Sequence, residues 1–166
     1  FDGHDAAINV MRRLIQSSGA EVIHLGHDQS AKAVVDCAIQ EDAHGVALTS
    51  YQGGHVEYFT YIRQLLDEAG CQHIKIFGGG GGTITPPEIK TLHESGISKI
   101  YSPDDGRAMG LMGMIHHLMG LASEVDLVNP ERLATLNSPI TAQEMARVGL
   151  LLTMSESADD ATFKAT

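Results

Sequence analysis

Apolar residues fall at Ile8, Val10, Met11, Leu14 and Ile15 and stop at Gly19, the spacing of an amphipathic helix closed by glycine. The apolar run Glu21 to Leu25, inside "AEVIHLG", then reads as a short buried strand. Ser30 is placed to cap a second helix, "AKAVVDCAIQED". "HGVALTS" is an apolar run that ends in small polar residues, as a parallel strand does on entering a loop. "VEYFTYIRQLLDEAG" returns to helical spacing with its own terminal glycine, and "HIKIF" reads as the next strand, ending at a run of glycines. "PPEIKTLHESG" opens with proline where a helix tolerates it and closes at Gly96. "ISKIYS" is the last strand and "GRAMGLMGMIHHLMGLASE" the last long helix.

Short strands that alternate with helices of about a dozen residues require right-handed crossovers and a parallel sheet covered on both faces. The expected fold is therefore α/β, a doubly wound, flavodoxin-like parallel sheet, with its ligand at the carboxyl ends of the strands. The loops at those ends are "LGHDQS", "LTSYQGGH", "FGGGGGT" and "YSPDDG", all rich in small and polar residues. The pattern begins with a helix, and "FDGH" before it looks like the loop that follows a strand. The first strand is thus expected to be missing from the chain, which would leave Glu21 to Leu25 poorly held for want of a neighbour. From about Asp126 the alternation stops, with one plausible helix from Ala142 to Thr153. The expected organisation is one domain over residues 1–124, followed by a linker or the start of another module over residues 125–166.

Composition narrows the function. With 166 residues, 43% hydrophobic and 19% charged, the chain is long enough for a sizeable core. Its net charge of -10 lacks the basic patches that nucleic acid demands. No apolar run reaches the roughly 20 residues that span a bilayer, and no signal peptide opens the chain, so a cytoplasmic setting and no membrane partner are expected. Cys37 and Cys71 have no metal-binding spacing. Of nine histidines, His24 and His27 read as a wet strand end, and His116 and His117 point to different helix faces. The methionines at 109, 112, 114 and 119 read as core. His4 stands apart because it lies between Asp2 and Asp5. It is either part of a helix cap or an imidazole whose tautomer a carboxylate sets for metal binding.

Three loops together resemble a known family. "DGHDAA", "TSY" followed by "QGGH", and "GG" followed by "PPEI" are similar to the Asp-x-His-x-x-Gly, Ser-x-Leu and Gly-Gly motifs of the cobalamin-binding domain of adenosylcobalamin-dependent acyl-CoA mutases, the methylmalonyl-CoA mutase family. The resemblance covers about residues 1 to 124. It is closest to the domain of the fused isobutyryl-CoA mutases, which "SYQGGHVEYF" and "IYSPDDG" resemble most.

The resemblance implies adenosylcobalamin, and hence cobalt, as cofactor. His4 matches the histidine that replaces the cofactor's dimethylbenzimidazole below cobalt, and Asp2 the carboxylate that accepts its other ring N–H. Gly3, Asp5 and Ala6 belong to the same loop. Thr49 matches the serine whose hydroxyl bonds the buried base, Tyr51 the lining leucine, and Gly78 and Gly79 the pair beside the nucleotide tail. Gly53 and Ser102 complete the expected cofactor site. Ala7 stands where the general pattern has glycine, and Gly80 to Gly82 lengthen the glycine run into a lip. No catalytic residue is expected here. The family uses a separate acyl-CoA-binding barrel domain or subunit, and in the fused subgroup a GTP-binding chaperone domain follows.

Two other readings remain. A corrinoid carrier protein of a methyltransferase system shares the three motifs, and a flavodoxin-like module for another ligand would leave His4 away from the cleft. The five glycines lack the Gly-Lys-Ser/Thr ending of a P-loop and the spaced glycines of a dinucleotide fingerprint.

Overall fold

The computed structural model describes residues 5–127, 130–134 and 150. Along them run α1 (Asp5–Ser17), α2 (Ala31–Gln40), β1 (Gly45–Thr49), α3 (His55–Glu68), β2 (Lys75–Gly79), α4 (Pro86–Glu94), β3 (Lys99–Tyr101), α5 (Pro103–Ser123) and α6 (Pro130–Ala134). The three strands are parallel in the order β1-β2-β3, with Thr49 beside Gly79 and Gly79 beside Tyr101.

Alternation along each strand sorts the two faces. Ile76 and Ile100 join Val34, Val35, Phe59, Ile62, Leu66 and Leu92 in the main core, which α2, α3 and α4 share. Gly78 is on this face too: a Cβ there would meet the Phe59 ring at 2.6 Å. Residues of the other parity face α5, as the hydrogen-bond contact of Tyr101 Oη with His117 Nδ1 at 3.0 Å shows. α1 packs on α5 on that side.

The caps follow the sequence. Ser30 Oγ accepts from Ala33 N at 3.2 Å at the start of α2. Thr85 and Ser102 open α4 and α5 with capping boxes, each followed by proline. Arg63, 8% exposed, donates to the carbonyls of Ile74 and Cys71, closing the turn from α3 into β2. Arg132 donates to buried Asp42 and so holds α6 against the turn before β1.

The structure corrects two expectations and leaves one aside. Glu21 to Leu25 is not a strand. Among the described residues β1 pairs with β2 alone, and a cavity separates its open edge from this segment, so no ladder forms. Ile23 and Leu25 are exposed in consequence. The methionine stripe is also not wholly core, because Met109 and Met112 are exposed. Gly110, at φ 66° and ψ 172°, breaks α5 internally and shifts the phase of its buried stripe. The expected helix from Ala142 to Thr153 lies outside the described residues except for Leu150, which is buried.

Candidate functional site

The register sets one row of residues across the carboxyl ends of the sheet: Thr49, Gly79 and Tyr101 are lateral neighbours on the face toward α5. A glycine between a threonine and a tyrosine leaves a gap in the row. All three line a cavity of about 1520 Å³ that runs along the open edge of β1 and under α5. The Thr49 hydroxyl is buried and has no hydrogen-bond partner. Such an atom costs about 1–3 kcal/mol unless a ligand or water satisfies it.

Above this row two loops are stitched together. Ser50, fully buried, donates its N–H to Gly79 O at 2.9 Å. Gly80 passes so close that a Cβ would lie 2.1 Å from Ser50 O. Only glycine permits that approach. Residues 80–83 form a turn in which Thr83 N donates to Gly80 O at 2.9 Å. The Tyr51 ring covers this turn, 2.7 Å from where a Gly81 Cβ would be.

The expected site residues fare unevenly. Thr49, Tyr51, Gly78, Gly79 and Ser102 line the cavity together. Ser102 spends its hydroxyl on the α5 cap, donating to Asp105 Oδ2 at 2.8 Å, so it contributes to the wall through its backbone and shape. Gly53 is not among the lining residues, and its Cβ position opens on empty space. Asp5 and Ala6 begin α1. Asp2, Gly3 and His4 lie outside the described residues.

Sequence reasoning assigned no role to Ser50, His55, Glu88 or Tyr101. Tyr101 is recognisable only once register places it beside Gly79. His55 did leave a signal: a histidine straight after two glycines, at the start of a helix, serves no helical need.

Electrostatics reinforce the frame. Burial, then the nearby Asp105 carboxylate, push the Tyr101 phenol up to about 12, so it stays a neutral donor. Burial raises Asp105, but the Ser102 backbone N–H, Lys99 and the Ser102 hydroxyl together outweigh it and hold the carboxyl below its ordinary value. Lys99 Nζ lies 3.0 Å from it. A depressed folded value stabilises the fold fully above the ordinary carboxylate range, and the contribution disappears as pH falls through the folded value. Melting temperature is therefore expected to drop below about pH 4, with a shallower acid limb for Asp105→Asn in thermal melts across that range. An unchanged limb would remove Asp105 from the account.

A family model described as "B12 binding domain" matches residues 1–101. The chain belongs to the B12-binding domain family. It is 61% identical over 119 residues, 72% of its length, to a fused isobutyryl-CoA mutase of Geobacillus kaustophilus. A protein of the same name from Cupriavidus metallidurans is 58% identical over 127 residues, 76% of this chain. The chain spans only 11% and 12% of those two relatives. The 2-hydroxyisobutanoyl-CoA mutase small subunit of Aquincola tertiaricarbonis is 34% identical over 105 residues, which is 63% of this chain and 75% of that subunit.

As a B12-binding domain, the chain has walls suited to its ligand. The unsatisfied Thr49 hydroxyl offers a hydrogen bond inside the cavity, and Gly79 at the end of β2 keeps a side chain out of it. Among the described residues no group of three or more metal-binding side chains is gathered, and no helix is long and apolar enough to cross a membrane.

Proposed function

We propose that this domain holds adenosylcobalamin with the nucleotide tail against the carboxyl ends of β1 to β3 and His4 as the lower cobalt ligand. In this reading the domain is the cofactor-carrying part of an acyl-CoA carbon-skeleton mutase of the isobutyryl-CoA or methylmalonyl-CoA type. The observation that carries it is the buried, unpartnered Thr49 hydroxyl beside Gly79 in a B12-binding domain.

Each residue then has a physical task. Thr49 hydrogen-bonds the buried base of the tail. Gly78 lets β2 press against Phe59, and Gly79 leaves the space through which the tail passes. Tyr51 and Ser102 form the side walls, and Gly53 serves the loop between Tyr51 and α3. For the cobalt end, the family resemblance gives Asp2 the task of accepting the N–H of His4, which would fix its tautomer and strengthen its metal-binding nitrogen. Gly3 belongs to that loop in this reading, and Asp5 and Ala6 open α1 after it. When bound, adenosylcobalamin supplies an adenosyl radical by cobalt–carbon homolysis, which starts rearrangement of the acyl-CoA skeleton. No residue of this domain contacts the acyl-CoA; a barrel domain or subunit does so, and the small-subunit relatives support such a division. A fused GTP-binding chaperone domain and a cytoplasmic location belong to the same reading. In this reading residues 1–124 form the cofactor domain, and 125–166 a linker or the start of another module.

Thr49→Val keeps the shape and removes the hydroxyl. In a visible-absorbance titration of the full chain with adenosylcobalamin, it is expected to weaken binding by about five- to tenfold, the worth of one hydrogen bond. Unchanged affinity would separate Thr49 from the base.

A further inference from the structure

His55 is 4% exposed, yet it is the first residue of α3, where a buried imidazole does nothing for the helix. Its ring reaches into both site loops. Nδ1 lies 3.1 Å from Gln52 O, a carbonyl that can only accept, so the ring donates there. Ser50 Oγ donates to the same carbonyl at 3.2 Å. Two donors on one carbonyl fix the path of the chain from Thr49 to Gly54. On the opposite side of the ring, Nε2 is buried, 3.3 Å from Glu88 Oε1, but without hydrogen-bond geometry. Glu88 lies in the first turn of α4 and ties the end of the other loop: its Oε2 accepts from Thr85 N at 2.7 Å and Thr85 Oγ1 at 2.6 Å. Those two hydrogen bonds from Thr85, with a smaller contribution from His55, hold the Glu88 carboxyl below its ordinary value.

We propose that His55 is a positioning residue for the cofactor tail: by clamping Gln52 O and abutting Glu88 it locks the loop after β1 to the loop after β2, and so sets where Thr49 and Tyr51 stand relative to Gly79. This inference rests on the tail-binding reading above. It distinguishes a clamp that shapes one ligand site from a histidine that merely fills the core.

Asparagine and glutamine separate the two arms of the ring. His55→Asn would place an amide donor near the Nδ1 position, and His55→Gln would place one near the Nε2 position. The test measures affinity of the full chain for adenosylcobalamin and for adenosylcobinamide, which has the corrin ring but no nucleotide tail. His55→Gln is expected to weaken adenosylcobalamin by about tenfold, one lost buried hydrogen bond, and to leave adenosylcobinamide within about twofold. His55→Asn is expected to recover most of the loss. Ser50→Ala, a smaller change at the same carbonyl, is expected to show the same tail-selective loss at about threefold, which keeps the test open if a His55 variant fails to fold. Equal losses on both ligands, or none on either, would overturn the inference. If the unaltered chain binds both ligands alike, or neither, the tail-binding reading itself fails, a result distinct from failure of the clamp.

Discussion

Gly80→Ala is expected to destabilise the domain by about 2–3 kcal/mol, the cost of forcing one carbon into a packed site. The new Cβ would lie 2.1 Å from Ser50 O and 3.1 Å from Ile84 Cγ1. The first of these is backbone, so neither a rotamer change nor a flexible tip relieves it. One of the two stitched loops must move. The hydrogen bond from Ser50 N to Gly79 O stands next to the displaced segment. A melting temperature lower by roughly 4–12 °C follows for a domain of this size. Adenosylcobalamin affinity is expected to fall as well, because Thr49 and Gly79 no longer keep their spacing. Gly53→Ala is the control. Its Cβ meets nothing within 4 Å, so its melting temperature is expected to stay within a degree or two of the parent. If both variants melt like the parent, the close approach of the two loops is not what holds the site together.

The second large effect is expected at His4. As the proposed lower ligand it would supply a nitrogen directly to cobalt, so His4→Ala would remove a bond rather than tune one. Loss of an outer partner of a metal-bound histidine costs about 10–100-fold in affinity or activity. Asp2→Asn is expected within that range, and His4→Ala at or beyond its upper end. The absorbance of the bound cofactor separates the two variants further: Asp2→Asn keeps nitrogen ligation, whereas His4→Ala shifts the spectrum to a base-off form. If His4→Ala keeps both affinity and spectrum, another group ligates cobalt.

The sequence made much of this fold readable because the dominant signals are local. Helical spacing in 8–15 and 56–68, a serine at position 30 and the prolines that open α4 state their elements without reference to the rest of the chain. The misreadings are all non-local. Glu21 to Leu25 has a strand's composition, but a strand exists only through its partner's hydrogen bonds, and none of the described residues supplies them. The methionines of α5 lie on both sides of Gly110, whose positive φ breaks the helical repeat they would otherwise share and which composition does not encode. The site divides in the same way. Thr49, Gly78 and Gly79 are visible as motif residues, and the structure brings them to one wall of the cavity. Tyr101 enters through register, and Ser50 and His55 through contacts between loops about 30 residues apart.

The most direct test of the central claim is the electron paramagnetic resonance spectrum of cob(II)alamin bound to the full chain, with histidine labelled with nitrogen-15. Unlabelled protein is expected to show each cobalt line split into a triplet by one axial nitrogen-14. Labelling is expected to turn the triplets into doublets, and His4→Ala to abolish that splitting. Triplets that persist in the labelled protein would mean that the cofactor's own base stays on cobalt, and the account of His4 as lower ligand would be wrong.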